Sequence, residues 1–159
     1  MDKEILKSFK ALRPKPSKAD DVIAPPYDVI NTKEAFELAK GRPNSFLHVS
    51  KPEIDLEGVI AYNDHKVYEK GKESLEQMIK DGVLIEDSED MLYLYEMADN
   101  DIRQLGIAAV GSVDAYEQEL IKRHEFTKPD KELDRVNNIS SLNAQTGPVL
   151  LTYKDNGEL

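Results

Sequence analysis

Prolines and glycines mark the ends of several segments of this chain, which reads as alternating strands and helices. Pro25 and Pro26 end the apolar run Val22 to Ala24, since neither can donate a ladder hydrogen bond; the run reads as a short strand. "NTKEAFELAKGRP" then reads as a helix with Asn31 or Thr32 as its cap. Its apolar positions are Ala35, Phe36, Leu38 and Ala39, and Gly41 with Pro43 forms its stop. "SFLHVS" is predicted as a strand. Between Ile60 and Lys80, Tyr68, Leu75, Met78 and Ile79 recur at helical spacing, with Gly71 as an internal weak point and Gly82 as terminator.

The second half continues the alternation. "MLYLYEM" and "IRQLGIAAVGSV" predict paired strands about the turn "ADND". "DAYEQELI" and "DKELDRVNNISSL" predict helices, and "GPVLLTY" a strand buried on both faces. The expected class is α/β in the mixed α+β sense, a mixed sheet with flanking helices, with residues 1–113 as a first domain and 114–159 as the beginning of a second. Asn156-Gly157 reads as a turn into a further element, so the chain is expected to be part of a longer protein. The apolar run Val149 to Tyr153 is expected to leave a sticky edge and drive self-association into a homo-oligomer.

Composition narrows the function. Hydrophobic residues at 40% and charged residues at 33% describe an ordinary globular chain. A net charge of −10 argues against a nucleic-acid partner, because neutralising phosphates needs an excess of Lys and Arg spread over a face. Without cysteine there is no disulfide, zinc–thiolate site or thiol nucleophile, which suits a reducing cytoplasm. No stretch reaches the roughly 20 apolar residues of a membrane span, and the start lacks an apolar signal-type segment. A cytoplasmic protein with no membrane role is expected.

Two stretches can carry chemistry. In "IKRHEFTKPDKELDR" a helix begins near Pro129, a favoured first-turn residue, so Lys131 and Arg135 share a face with Lys128 at its start. These cations can converge on an anion, phosphate above all, with Arg135 binding it bidentately and the lysines acting as point charges. Thr127, in the loop before the helix, is counted with the phosphate- or substrate-binding set. His124 and Glu125 lie in the preceding loop, where a carboxylate can act as general base. Asp130 and Asp134, four apart, are a candidate Mg²⁺-facing pair. The plainer alternative is a solvated helix laced with ion pairs.

In "APPYD" the prolines set the backbone so that Tyr27 and Asp28 project toward a ligand, Asp28 orienting a cation or an amine. The alternative there is a rigid turn closed by Asp28 itself. The segment "HVSKPEID" reads as extended. His48, His65 and His124 are too scattered for metal-ligand spacing, so no zinc is expected. Neither glycine-rich phosphate-loop pattern occurs.

Taken in order, "FKALRP", "VIAPPYDVI", "SFLHVSKPEIDL", "LYLYEM", "RHEFTKPDKELDR" and "GPVLLTY" resemble the N-terminal part of the domain-of-unknown-function family 1015. That family in turn resembles the ParB/sulfiredoxin-like fold, which includes nucleotide-binding partition proteins and ATP- or ADP-using kinases of free serine. On this resemblance residues 114–159 begin such a unit, Glu125 stands where the kinases' catalytic acid stands, and Arg123, Lys128 and Arg135 take the part of phosphate clamps. Mg²⁺ with ATP or ADP would be the cofactors. The kinases' later Asp-Gly-His-His-Arg string does not occur in this chain.

The expected function is accordingly part of a nucleotide-dependent phosphotransferase for a small molecule, serine or a related hydroxy amino acid, with Glu125 as base and His124 beside it. A non-catalytic nucleotide- or metabolite-binding switch is the alternative. For this chain alone the expectation is nucleotide affinity no better than about millimolar.

Overall fold

A computed structural model of the chain describes residues 5–58, 60–61, 63–123 and 126–154. In chain order the elements are β1 (Leu6–Lys7), β2 (Leu12–Pro14), α1 (Ala19–Val22), α2 (Thr32–Ala39), α3 (Leu47–Ser50), α4 (His65–Lys80), β3 (Leu84–Glu86), β4 (Tyr93–Asp99), β5 (Ile102–Ala108), β6 (Val110–Gly111), α5 (Val113–Glu117) and α6 (Pro129–Leu142). Single 3₁₀ turns lie at Pro16–Lys18 and Pro52–Asp55. The class is α+β, and the described strands form three antiparallel two-stranded ladders, β1–β6, β2–β3 and β4–β5. The chain divides into two compact units, each made of two stretches: residues 1–22 with 78–128, and residues 23–77 with 129–159.

In the first unit the N-terminal segment runs past three partners in turn. Leu6 and Lys7 pair with Gly111 and Val110, Phe9 bridges Met91, and Leu12 to Pro14 pair with Glu86 to Leu84. The longest ladder joins β4 to β5 from Tyr93↔Ala108 to Asp99↔Ile102. Asn100 takes φ 50° in its two-residue turn, a conformation Asn tolerates better than most residues.

Tyr93 ties the N-terminal segment to β4. Its hydroxyl accepts the Ala11 N–H at 2.9 Å and lies 2.7 Å from Asp87 Oδ2, to which it donates, while Arg13 Nε donates to the same carboxylate at 2.8 Å. Phe9 meets the Tyr93 ring edge-on at 5.1 Å.

The Arg13 guanidinium, and then the Tyr93 hydroxyl, hold the Asp87 carboxyl below its usual range. A carboxylate with a depressed native pKa contributes stability above its unfolded pKa and loses it as pH falls through the native value. The contribution of this cluster is therefore complete at neutral pH and fades below about pH 4. Asp87→Asn should weaken the fold at pH 7 and flatten the acid limb of its stability, as denaturant midpoints at pH 7, 5 and 3 will show. Parallel loss in the variant and the parent chain would place the acid sensitivity elsewhere.

In the second unit Ala35 and Ala39 of α2 pack with Leu47 and Ile54, joined by the partly buried Ala24 and Ile30. Asn31, one of the two expected candidates, caps α2, and with Glu34 it completes a capping box. Asn31 Oδ1 accepts from Glu34 N–H at 2.9 Å, and Glu34 Oε2 accepts from Asn31 N–H at 2.8 Å. Gly41, at φ 73°, ends that region.

Helix α4 buries Val67, Tyr68, Gly71, Leu75 and Met78 on one stripe. Gly71 is no weak point in packing. A Cβ there would lie 3.1 Å from the Val49 carbonyl oxygen, 3.3 Å from Pro52 Cγ and 3.7 Å from Leu142 Cδ1, so the glycine permits a close approach.

Four local expectations are corrected. "SFLHVS" holds helix α3, not a strand: the Ser50 and Lys51 N–H groups close back onto the Phe46 and Leu47 carbonyls, a choice that the short apolar run, with Leu47 and Val49 buried, does not decide. "PEID" winds into a 3₁₀ turn with Pro52 and Ile54 buried. Val22 ends helix α1, and the run up to Ala24 is irregular. Val149 to Tyr153 is neither strand nor buried: Val149 and Leu150 are each 76% exposed, with no ladder partner among the described residues.

Candidate functional site

The site lies in the second unit and is built by the two stretches singled out above. After Pro25 and Pro26, the Val29 N–H closes onto the Pro26 carbonyl at 3.3 Å, so Tyr27 and Asp28 occupy the two central positions of a turn and point outward. Pro26 supplies the accepting carbonyl, and the turn presents the side chains. The Arg135 guanidinium of α6 sits over the Tyr27 ring, 4.5 Å from its centroid. A planar cation on an aromatic face is attracted by the ring's negative π cloud and shielded from water on that side.

Arg135 is held from a second direction. Its Nη2 donates to Asp134 Oδ2 at 2.8 Å, and Asp134 Oδ1 accepts from the Tyr68 hydroxyl of α4 at 2.7 Å. Asp134 is 8% exposed and Tyr68 5%, whereas the Arg135 side chain keeps 39% of its surface. A buried carboxylate needs donors for its oxygens, and here each oxygen has one. Burial first, and then the hydrogen bond and charge of Asp134, push the Tyr68 phenol up to about 12, against the lowering influence of Asn137 and Arg135. The phenol stays protonated and remains a donor at any physiological pH.

Chemically this is a pre-ordered, partly exposed cation. One face of the guanidinium is covered by Tyr27 and one N–H is engaged by Asp134. The rest of the fork is suited to the oxygens of a phosphate or carboxylate. Asp28 is exposed beside Tyr27, with no hydrogen-bond partner among the described residues.

The other expected site residues divide between the two units. Arg123 lies in the first unit with its guanidinium 4.9 Å from the Tyr116 ring centroid. Thr127 and Lys128 are exposed, and Lys131 is exposed on α6. His124 and Glu125 lie outside the described residues. Asp130 and Asp134 do not offer a Mg²⁺ pair: Asp130 is exposed, while both oxygens of Asp134 are taken by Tyr68 and Arg135. Among the described residues no group of three or more His, Cys, Asp or Glu could hold a metal ion. No helix among them is long and apolar enough to cross a membrane.

Sequence reasoning missed Tyr68 and the structural part played by Asp134. One signal was present: a tyrosine on the buried stripe of α4 must find a partner for its hydroxyl.

A second feature of this unit is a shallow pocket of about 300 Å³ with an apolar floor of Phe36, Ala39, Pro43 and Ile54. Its histidine is engaged within the pocket. His48 Nδ1 lies 2.8 Å from Asp55 Oδ2, and His48 Nε2 lies 3.1 Å from the Arg42 carbonyl, so both ring nitrogens face acceptors and neither is placed to take a proton from a ligand. His48 thereby ties α3 to the 3₁₀ turn.

The model of one protein family, described as "Protein of unknown function (DUF1015)", matches residues 6–159. No curated protein and no solved structure gives a significant match.

Proposed function

The chain belongs to the DUF1015 family, and from that premise we propose that it binds the phosphate group of a small molecule at Arg135, as part of a cytoplasmic nucleotide-dependent phosphotransferase. The observation that carries the reading is the Arg135 guanidinium stacked on Tyr27, where two sequence stretches selected for chemistry meet in one place. Arginine with a covered face and a fixed edge loses little further freedom on binding, which favours capture of an anion.

The chemical outcome rests on the resemblance to free-serine kinases. ATP or ADP would donate the phosphoryl group, serine or a related hydroxy amino acid would accept it, and Glu125 would take the acceptor's proton, with His124 beside it. Mg²⁺ belongs to this proposal only as the ion that accompanies the nucleotide, since the acids of α6 do not fit it.

The test is a titration of the chain with ADP followed by backbone amide NMR. Saturable binding in the millimolar range is expected, and Arg135→Ala should weaken it by more than about tenfold, the worth of one good charged contact. Equal affinity in the variant would remove Arg135 from the site.

A switch without turnover is the second reading, favoured by the contact Arg135 already makes with Asp134. An anion on the remaining N–H groups of Arg135 draws charge from that contact and so acts on the α4–α6 link made by Tyr68. Assays of phosphoryl transfer to serine separate the two, with Glu125→Gln as control. Binding without product selects the switch.

A further inference from the structure

Tyr68 is too deeply buried to reach a ligand itself, yet it ends the chain of contacts that holds the site's cation. We propose, resting on the reading of Arg135 as the anion-binding group, that Tyr68 is the positioning residue of this site: through Asp134 it sets the orientation in which Arg135 lies on Tyr27.

The geometry supports this link by link. The Tyr68 hydroxyl reaches Asp134 Oδ1 at 2.7 Å, Asp134 Oδ2 reaches Arg135 Nη2 at 2.8 Å, and the guanidinium lies 4.5 Å from the Tyr27 centroid. The carboxylate is buried and bridges two helices, so the phenol determines the plane in which its second oxygen points. Without the phenolic donor, Asp134 Oδ1 would face the ring edge of a phenylalanine, a buried acceptor with nothing to accept. The carboxylate would then turn to find water or another donor, and Arg135 would move with it. A long, flexible side chain released in this way pays its ordering entropy again when the anion arrives.

Burial and the Asp134 contact keep this phenol neutral, so the hydroxyl acts as a permanent donor and not as a base. Phosphate-bearing ligands are the class most sensitive to the arrangement, because bidentate binding needs two guanidinium N–H groups aimed together.

The experiment compares the parent chain, Tyr68→Phe, Asp134→Asn, the double variant and Arg135→Ala. ADP is titrated by NMR in each, and the guanidinium proton signals of Arg135 are recorded before any ligand is added. Tyr68→Phe should weaken ADP binding about fivefold, the typical worth of one hydrogen bond. It should also broaden or shift the Arg135 guanidinium signals. If Tyr68 acts through Asp134, the double variant should bind no worse than Asp134→Asn alone, a non-additivity that a general loosening of the fold would not produce.

The outcomes separate the two ideas. Arg135→Ala weakened while Tyr68→Phe binds as the parent does, with unchanged guanidinium signals, overturns the positioning role and leaves the site reading standing. No saturation with ADP in the parent chain overturns the site reading, and the guanidinium signals of Tyr68→Phe then decide the positioning on their own. Tyr68→Phe retains the ring and so the packing. Asp134→Asn, which keeps the shape of the carboxylate, serves as the second variant should the first fail to fold.

Discussion

Valine at position 71 should cost this fold about 3 kcal/mol or more, the upper range for overpacking a filled interior. The reason lies in three contacts. A Cβ at Gly71 already comes within 3.1 Å of the Val49 carbonyl oxygen and 3.3 Å of Pro52 Cγ, with Leu142 Cδ1 at 3.7 Å. Val49, Pro52 and Leu142 are all buried, and the closest of the three atoms belongs to the backbone, which cannot swing aside as the end of a side chain can. Two further methyl groups must therefore push α3 or α6 away from α4.

Alanine at the same place is an informative contrast. It recovers about 1 kcal/mol of helix propensity and sets that against the tight contacts of its Cβ with the Val49 carbonyl and Pro52, without the two further methyl groups, so its net effect should be much smaller. Urea unfolding of the two variants beside the parent chain measures both. If Gly71→Val unfolds at the parent's midpoint, α4 does not lie as close to Val49 and Pro52 as described.

The second large effect is expected at Asp134. Its replacement by alanine should cost about 2–3 kcal/mol, chiefly because the Tyr68 hydroxyl is left buried without an acceptor, a loss of about 1–3 kcal/mol. The lost pairing with Arg135 adds less, because that side chain is 39% exposed and water replaces the carboxylate. The two causes can be told apart. Adding Tyr68→Phe to Asp134→Ala removes the orphaned hydroxyl and should restore part of the lost stability, while adding Arg135→Ala should restore little. Unfolding midpoints of the three variants decide it: no recovery with Tyr68→Phe would mean that the cost comes from the ion pair.

Both predictions concern contacts between residues remote in the chain, and the sequence did not reveal either. Gly71 read as an interruption of a helix, since propensity sees only the helix's own backbone. Its neighbours at Val49, Pro52 and Leu142 are brought to it by packing. Tyr68 read as one apolar position among several, because a periodic pattern records that a side chain is buried but not what its hydroxyl meets.

Other features were legible because the deciding groups are near neighbours. The capping box of α2 needs only Asn31 and Glu34, three residues apart. Helix α6 begins at Pro129, where a missing N–H costs nothing, and β4 and β5 pair about the turn that Asn100 and Asp101 allow. Where strand propensity alone was the guide, it failed. "SFLHVS" became helix α3, and Val149 to Tyr153 stayed irregular and exposed. A β-rich run becomes a strand only when another strand supplies the ladder's hydrogen bonds, and such a partner is not a local property.

The candidate site divides in the same way. Its residue types were determined by the sequence: Tyr27 lies in a turn that begins at Pro26, and Arg135 lies on a helix whose start and periodicity are local. Their meeting was decided only by the tertiary structure, and so was the membership of Arg123 in the other unit. Turns and caps follow from sterics and hydrogen bonds within a few residues, whereas the placement of Arg135 over Tyr27 follows from the burial of Asp134 against Tyr68, a contact between helices that no local pattern encodes.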